Sequence, residues 1–251
     1  MLTRNWAFFR VLGPSSAVAD RRIPAIVPDL VAHLGTADDG GRWYFRRIHE
    51  PVPHFGMWFH TRPDVLTELE RRLGTRREPD TTGPGADLAW IASEFALGVL
   101  RDGVLPAAAQ LPVAAYLLDR VAGLVPAADR RSFLFLYWEQ WSRGMRPQQR
   151  LALAADADAQ DAQSLRAAGE VFLHDRHERA VRHYLGSLRQ AVLGAPRTPD
   201  HPPAYLLFTH AHLTNDCLGI TTATEAAAAR VLRSALPGGP VPVPPRKELP
   251  A

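Results

Sequence analysis

The chain has 251 residues, 46% of them hydrophobic and 22% charged, a balance that suits a soluble globular protein long enough to bury a sizeable core. No apolar run approaches the ~18 residues of a membrane span. The arginine inside the opening apolar run argues against a secretory signal. Cys217, the single cysteine, excludes an intramolecular disulfide and a multi-cysteine zinc site, and it fits a reducing cytoplasm. The net charge is +3, with Lys247 the single lysine. The arginines are scattered and no RRM, KH or zinc-finger pattern occurs, so no nucleic-acid or membrane partner is expected; an acidic peptide suits the mild positive excess.

Residues 4–12 read as a first strand, stopped by Gly13-Pro14-Ser15-Ser16. A helix is expected from Pro28, with Leu30, Val31 and Leu34 on one face and Gly35 as its stop. After the Asp38–Gly41 turn, WYFRRI and HFGMWF form a hairpin. Strand alternation puts His54, Gly56 and Trp58 on one face and Phe55, Met57 and Phe59 on the other. PDVLTELERRLG is an amphipathic helix opened by Pro63 and closed by Gly74. This order implies an α+β fold, an antiparallel sheet with helices packed on it.

A loop over REPDTTGPG then leads into a helix-rich half, with helices expected at 87–100, 111–123, 129–143 and 161–193 and a low-complexity Ala/Asp stretch at 154–162. A Pro/His turn at 196–203, a helix with Asp200 as cap, Pro202 and Pro203 in its first turn and Gly219 at its far end, and a last helix, EAAAARVLRSAL, complete one domain at 1–236. Residues 237–251 form a proline-rich extended tail.

Generic chemical signatures are missing. Gly83-Pro84-Gly85 fits no phosphate-loop pattern, and no GxSxG nucleophile elbow occurs. His174, His177 and Glu178 have metal-compatible spacing but lie among charges that read as a solvated face, and His49, His54 and His60 share no strand face. The segment HPPAYLLFTHAHLTNDCLGI differs. Helical spacing aligns Tyr205, Thr209, His212 and Asp216 at i, i+4, i+7 and i+11, one polar stripe on a mostly apolar helix. Such groups are expensive to bury unless paired, so the stripe is a hydrogen-bonded structural network, an exposed stripe, or a set of proton donors and acceptors lining a pocket.

Three motifs carry a family resemblance. WYFRRIHEPVPHFGMWF resembles the Trp–aromatic–aromatic–x–Arg–x–x–Asp–Pro–x–Pro–His motif of the elimination domain of class I lanthipeptide dehydratases and of thiopeptide-type bacteriocin biosynthesis proteins. Trp43, Arg47, Pro51, Pro53, His54 and Phe59 match, and Glu50 stands for the aspartate. REPDTTGPGADLAW is similar to that group's Glu-Pro-Glu-Thr…Gly-Gly-Pro-x-Gly segment, and HAHLTNDCLGI to its closing His-x-His…Asn-Arg-Leu-Gly-Ile.

Where the eliminases carry arginines that handle a glutamyl ester, this chain has Gly56, Trp58 and Cys217. Without those cations, glutamate elimination loses its anion site. The resemblance then implies the family's other activity, that of thiopeptide pyridine synthases. These enzymes perform a formal aza-[4+2] cycloaddition of two dehydroalanines in a leader-bearing precursor peptide, followed by loss of water and of the leader. On this reading Tyr205 and His212 are the acid/base groups, with Thr209 and Asn215 as hydrogen-bonding helpers. Arg47, Glu50 and His54 orient substrate, and Trp58 is an aromatic wall. No metal or other cofactor is implied. The partners are a precursor with an acidic leader and other enzymes of the biosynthetic cluster. The alternatives are the glutamate-eliminating component of a split dehydratase and a non-catalytic precursor-binding subunit.

Overall fold

In the computed structural model, which describes residues 3–12, 16–48, 54–79, 86–101, 103–194 and 203–237, the first half has the expected α+β order. It runs β1 (Asn5–Leu12), α1 (Ser16–Ala37), β2 (Arg42–Ile48), β3 (His54–Thr61), α2 (Pro63–Leu73) and β4 (Arg77–Pro79). The strands pair antiparallel in the order β2-β3-β1-β4. Phe9, Phe45, Phe55, Met57 and Phe59 are fully buried on one sheet face, in one core cluster with Ile23, Val27, Leu30 and Leu34 of α1 and Leu66 and Leu69 of α2. The α2 helix ends as its sequence demands: Gly74 adopts φ 64 and its N–H reaches the Glu70 carbonyl.

Two elements depart from the sequence reading. The α1 helix starts twelve residues earlier than Pro28 and runs past Gly35, with Pro24 and Pro28 inside it. Its stripe of Ile23, Val27, Leu30 and Leu34 is at most 3% exposed, and burial of that stripe outweighs the helix-breaking tendency of the two prolines. The three residues of β4 lie where a loop was expected. They pair with β1 as a short edge strand that ends at Pro79, a position where the missing N–H is tolerated.

The second sheet face is also covered. Trp58 stacks on Tyr44 at 4.8 Å and 9°, and lies 4.6 Å from Phe8, while Trp6 stacks on His60 at 5.0 Å. Gly56 is what admits this layer: a Cβ there would sit 2.4 Å from Phe8 and 2.8 Å from two Trp58 ring atoms. The residues His54, Gly56 and Trp58 thus share a face, as alternation requires, but that face is packed.

The helix-rich half comprises α3 (Ala86–Leu100), α4 (Ala107–Ala122), α5 (Arg130–Ser142), α6 (Pro147–Asp158), α7 (Ala162–Gly194), α8 (Pro203–Leu218) and α9 (Thr222–Ala235). The α6 helix occupies much of the Ala/Asp-rich stretch, anchored by buried Ala157. An α3–α8 layer closes the open edge of the sheet at β2. Ser93 Oγ accepts from Phe45 N at 3.0 Å and donates to Phe45 O at 3.2 Å, and Asp216 Oδ2 accepts from Arg47 N at 3.2 Å. Edge backbone groups that would otherwise invite another strand are satisfied by side chains. Among the described residues no helix is long and apolar enough to cross a membrane. The 196–202 turn, Gly83-Pro84-Gly85 and the tail from 238 lie outside the described residues.

Candidate active site

The α8 helix is held at its far end by a turn and an arginine. Gly219 takes φ 79, and Ile220 N donates to Asn215 O at 2.9 Å, a left-handed C-terminal cap that glycine reaches without strain. Arg47 lies against this end: Nε donates to Asp216 O at 2.8 Å and an Nη donates to Cys217 O at 3.2 Å. A cation on the last carbonyls of a helix is favourable for both the hydrogen bonds and the macrodipole. Burial presses the Arg47 pKa below its ordinary value, with Cys217 and Asp216 opposing that trend.

The polar stripe divides in two. Tyr205, Thr209 and His212 line a cleft of about 790 Å³ whose other walls are Val125, Ala204, Phe208, Asp129 just before α5, and the α5 residues Ser132, Phe133, Leu136, Gln140 and Trp141. Asp216 turns away, to the edge of β2. His212 sits at the heart of the cleft wall, stacked on Trp141 at 3.7 Å and 21°. Its Nδ1 lies 3.0 Å from Oε1 of Glu225, whose side chain is fully buried in the first turn of α9. The other oxygen, Oε2, accepts the Tyr137 hydroxyl at 2.5 Å. The Asn215 amide also bonds this pair, necessarily as donor to the carboxylate.

Burial raises the Glu225 pKa above the carboxylate range, while His212, Tyr137 and Asn215 pull it back. Burial, with the Glu225 charge next, pushes Tyr137 well above the usual phenol value. The carboxylate is therefore clamped by three partners and by the partial positive charge of a helix N-terminus. In turn it fixes the imidazole ring. With Nδ1 held by a carboxylate, Nε2 is the nitrogen left for chemistry at the cleft, an arrangement suited to accepting and returning a proton. Tyr205 stands at the mouth, 53% exposed.

The remaining expected site residues lie elsewhere. Asn215 is 2% exposed and acts on Glu225, so it helps the cleft from behind. Arg47, His54 and Trp58 are 8%, 5% and 8% exposed, and none of them lines the cleft. Each is packed into the fold: Arg47 grips α8, His54 begins β3 in its first buried position, and Trp58 is sandwiched between Tyr44 and Phe8. Glu50 and His49 lie outside the described residues.

His174 and His177 are not on a solvated face. His174 Nε2 pairs with the Tyr116 hydroxyl at 2.9 Å and His177 is 8% exposed, whereas Glu178 faces Arg182 at 3.7 Å. Among the described residues no three His, Cys, Asp or Glu side chains group as metal ligands. His210 points away from His212, stacked on Tyr184 at 5.5 Å.

Sequence reasoning missed Tyr137, Trp141 and Glu225. Glu225 carried a weak signal, as the lone acid in an alanine-rich helix, TEAAAARVL, whose small residues imply close packing on every side.

No protein-family model and no curated protein matches the chain. Solved structures do. TsrL aligns with a TM-score of 0.61 at 16% identity, covering 92% of this chain and 94% of TsrL. TbtD, the pyridine synthase of thiomuracin biosynthesis, aligns with a TM-score of 0.58 at 17% identity, over 91% of this chain and 96% of TbtD. MibB, a tRNA-dependent lantibiotic dehydratase from Microbispora sp. 107891, aligns with a TM-score of 0.51 at 17% identity, over 89% of this chain but 28% of MibB. At such identities the likeness establishes architecture: this chain has the fold of a thiopeptide pyridine synthase and of one portion of a lantibiotic dehydratase, the two groups its motifs resemble.

Proposed function

We propose that the protein is a pyridine synthase of thiopeptide maturation, an enzyme of ribosomal-peptide modification. It joins two dehydroalanines of a leader-bearing precursor in a formal aza-[4+2] cycloaddition and then eliminates water and the leader to leave a central pyridine and a macrocycle. The observation that carries this reading is His212, anchored through Glu225 to Tyr137, on the wall of a cleft made of aromatic and aliphatic side chains.

The chemistry sets the requirements. A backbone amide must pass to its imidic-acid form to become a 2-azadiene, which moves a proton from nitrogen to oxygen. His212 Nε2 takes and returns that proton, and Tyr205 serves as the second donor at the mouth. The two alkenes must be held face to face, and apolar walls such as Phe133, Trp141 and Phe208 supply positioning, from which much of the rate comes. Loss of the hydroxyl as water needs a proton donor, and aromatisation needs an acceptor. One histidine that cycles between forms supplies both. Thr209 hydrogen-bonds the substrate, and Asn215, through Glu225, keeps the histidine in place.

Glutamate elimination is the weaker reading. The positions where the eliminases carry arginines are filled: rings pack against Gly56, Trp58 is in the stack, and the Cys217 thiol donates to Phe45 O at 3.3 Å, buried and with its pKa pushed up to about 12. No cation can be supplied from these sites to a glutamyl carboxylate.

The test is incubation with a bis-dehydroalanine, azole-containing precursor, followed by mass spectrometry. Release of the leader as an amide with a pyridine macrocycle is the expected result. Intact linear precursor, with precursor binding demonstrated, refutes the assignment, and conversion of a glutamylated peptide to a dehydroalanine peptide would replace it with the eliminase.

A further inference from the structure

Among the described residues three histidine rings stack on an aromatic neighbour, and one differs from the other two. His60 lies 5.0 Å from Trp6 at 28°, and His210 lies 5.5 Å from Tyr184 at 20°. These separations fall in the range of about 4.5–7 Å that uncharged ring pairs adopt when offset. Burial presses the pKa of His60 below its ordinary value and that of His210 to about 4, so both rings stack in their neutral form. His212 instead lies 3.7 Å from Trp141 at 21°. Rings that close and that nearly parallel overlap with little lateral offset. For two neutral rings this sets one negative face against another. For an imidazolium it sets a cation over a π face.

The surroundings of the ring point the same way. Nδ1 of His212 lies 3.0 Å from Oε1 of Glu225, whose side chain is fully buried, while the imidazole keeps 20% of its surface exposed. The other titratable groups nearby are Tyr137, bonded to the same carboxylate, and Asp129 and Tyr205 along the cleft. No arginine or lysine belongs to the cleft lining, so no described cation there opposes a positive ring. The indole of Trp141 reaches across α8. It also stacks on Phe208, one turn before His212, at 6.3 Å and 25°, with Tyr137 edge-on at 6.1 Å. Its Nε1–H is buried and has no hydrogen-bond partner among the described residues. A buried indole ordinarily uses that group. Here the polar edge is idle and the ring face makes the contact, and tryptophan offers a cation the best of the aromatic faces.

We propose that Trp141 is a positioning residue for proton transfer, its π face stabilising the imidazolium form of His212 while Glu225 holds Nδ1. The stack stands on the geometry; its use in turnover rests on the proposed function. In that reaction the proton leaving the substrate amide nitrogen goes to His212 Nε2. The ring becomes a cation, and the proton then returns to the amide oxygen, so no further reactant is consumed. A face that favours the charged ring eases the stage at which histidine carries the proton.

The test replaces Trp141, in the full chain, by tryptophans with an increasing number of fluorines on the indole. Fluorine withdraws charge from the π face and nearly preserves shape, and the idle N–H leaves no hydrogen bond to disturb. The proton affinity of His212, read from ring nitrogen-15 shifts against pH in the free protein, should fall stepwise, by about tenfold across the series. That of His183 on α7, outside the cleft, should stay fixed. Trp141→Phe should fall between the extremes and Trp141→Leu at the low end. In single-turnover mass spectrometry, macrocycle formation should decline in the same order with precursor affinity unchanged.

A His212 proton affinity that is flat across the fluorinated series, or that moves only as His183 does, overturns the proposal. Unchanged melting across the series separates a lost π interaction from lost folding, which the leucine variant alone would not. A stepwise His212 trend in a protein that converts no precursor upholds the stack and refutes only the pyridine-synthase reading. Turnover with a flat trend refutes only the role of Trp141.

Discussion

Replacing Gly56 by alanine tests whether the aromatic layer on the second sheet face is a packed part of the fold. The added Cβ would stand 2.4 Å from Phe8 Cε2 and 2.8 Å from Trp58 Cη2 and Cζ3, where ordinary contact needs 3.4 Å or more. Those atoms belong to rings already held at 4.6 Å and 4.8 Å in a three-ring stack with Tyr44, so neither can swing aside without breaking a stacking contact. Overpacking of this kind costs about 1–3 kcal/mol. For a chain of this size, a loss of ~2 kcal/mol lowers the melting temperature by roughly 4–8 °C. The assay is urea and thermal unfolding of Gly56→Ala, repeated in a Phe8→Ala background where the nearest obstacle is gone. The coupling between the two substitutions should be about 1 kcal/mol, with alanine at 56 cheaper in the truncated background. A Gly56→Ala protein as stable as wild type, or a cycle with no coupling, would show that the layer yields readily and that the glycine is not there to admit the rings.

Three further outcomes follow from the site and its supports. His212→Ala and Glu225→Gln should each reduce macrocycle formation by about 10²–10⁴ while leaving precursor affinity nearly unchanged, measured by single-turnover mass spectrometry beside binding titration. Retained turnover in His212→Ala would move the protein to the non-catalytic class. Tyr205→Phe keeps the aromatic surface at the cleft mouth and removes only the hydroxyl, so a lower rate at unchanged affinity assigns the proton transfer to it, and an unchanged rate removes it from the mechanism.

Two pH windows are expected in stability. His210, buried and desolvated, has its pKa lowered from 6.5 to about 4. The unfolded chain then binds a proton that the native state does not, and stability falls as pH drops from about 6.5 towards 4, by about 3 kcal/mol in all. Asp38 behaves oppositely: hydrogen bonds from Arg4, foremost, and from Thr61 hold its carboxyl well below the usual range. Its stabilisation is complete above the unfolded carboxylate pKa and is lost as pH falls below about 4 towards the lowered folded value. In denaturant titrations, His210→Phe should flatten the upper window and Asp38→Asn the lower one; a slope unchanged by either substitution contradicts its assignment.

What the sequence determined by itself was everything governed by local spacing. Strand alternation placed Phe55, Met57 and Phe59 in the core, proline and glycine bounded α2, and helical periodicity put Tyr205, Thr209 and His212 on one face of α8. These follow from backbone geometry, which a side chain's position along the chain reveals. Tertiary structure decided the rest. The Pro24–Pro28 stretch became helix because Ile23, Val27, Leu30 and Leu34 had a sheet to cover. Asp216 left the stripe because the edge of β2 needed an acceptor, and Arg47 went to the carbonyls at the end of α8. The anchor of His212 came from Glu225, thirteen residues on, and from Tyr137, on a helix that no periodicity connects to α8. Burying a charge or an imidazole requires partners from whichever elements happen to pack there. Partners across elements are set by the fold, so a line of residues can announce that a polar stripe needs an answer without saying what will answer it.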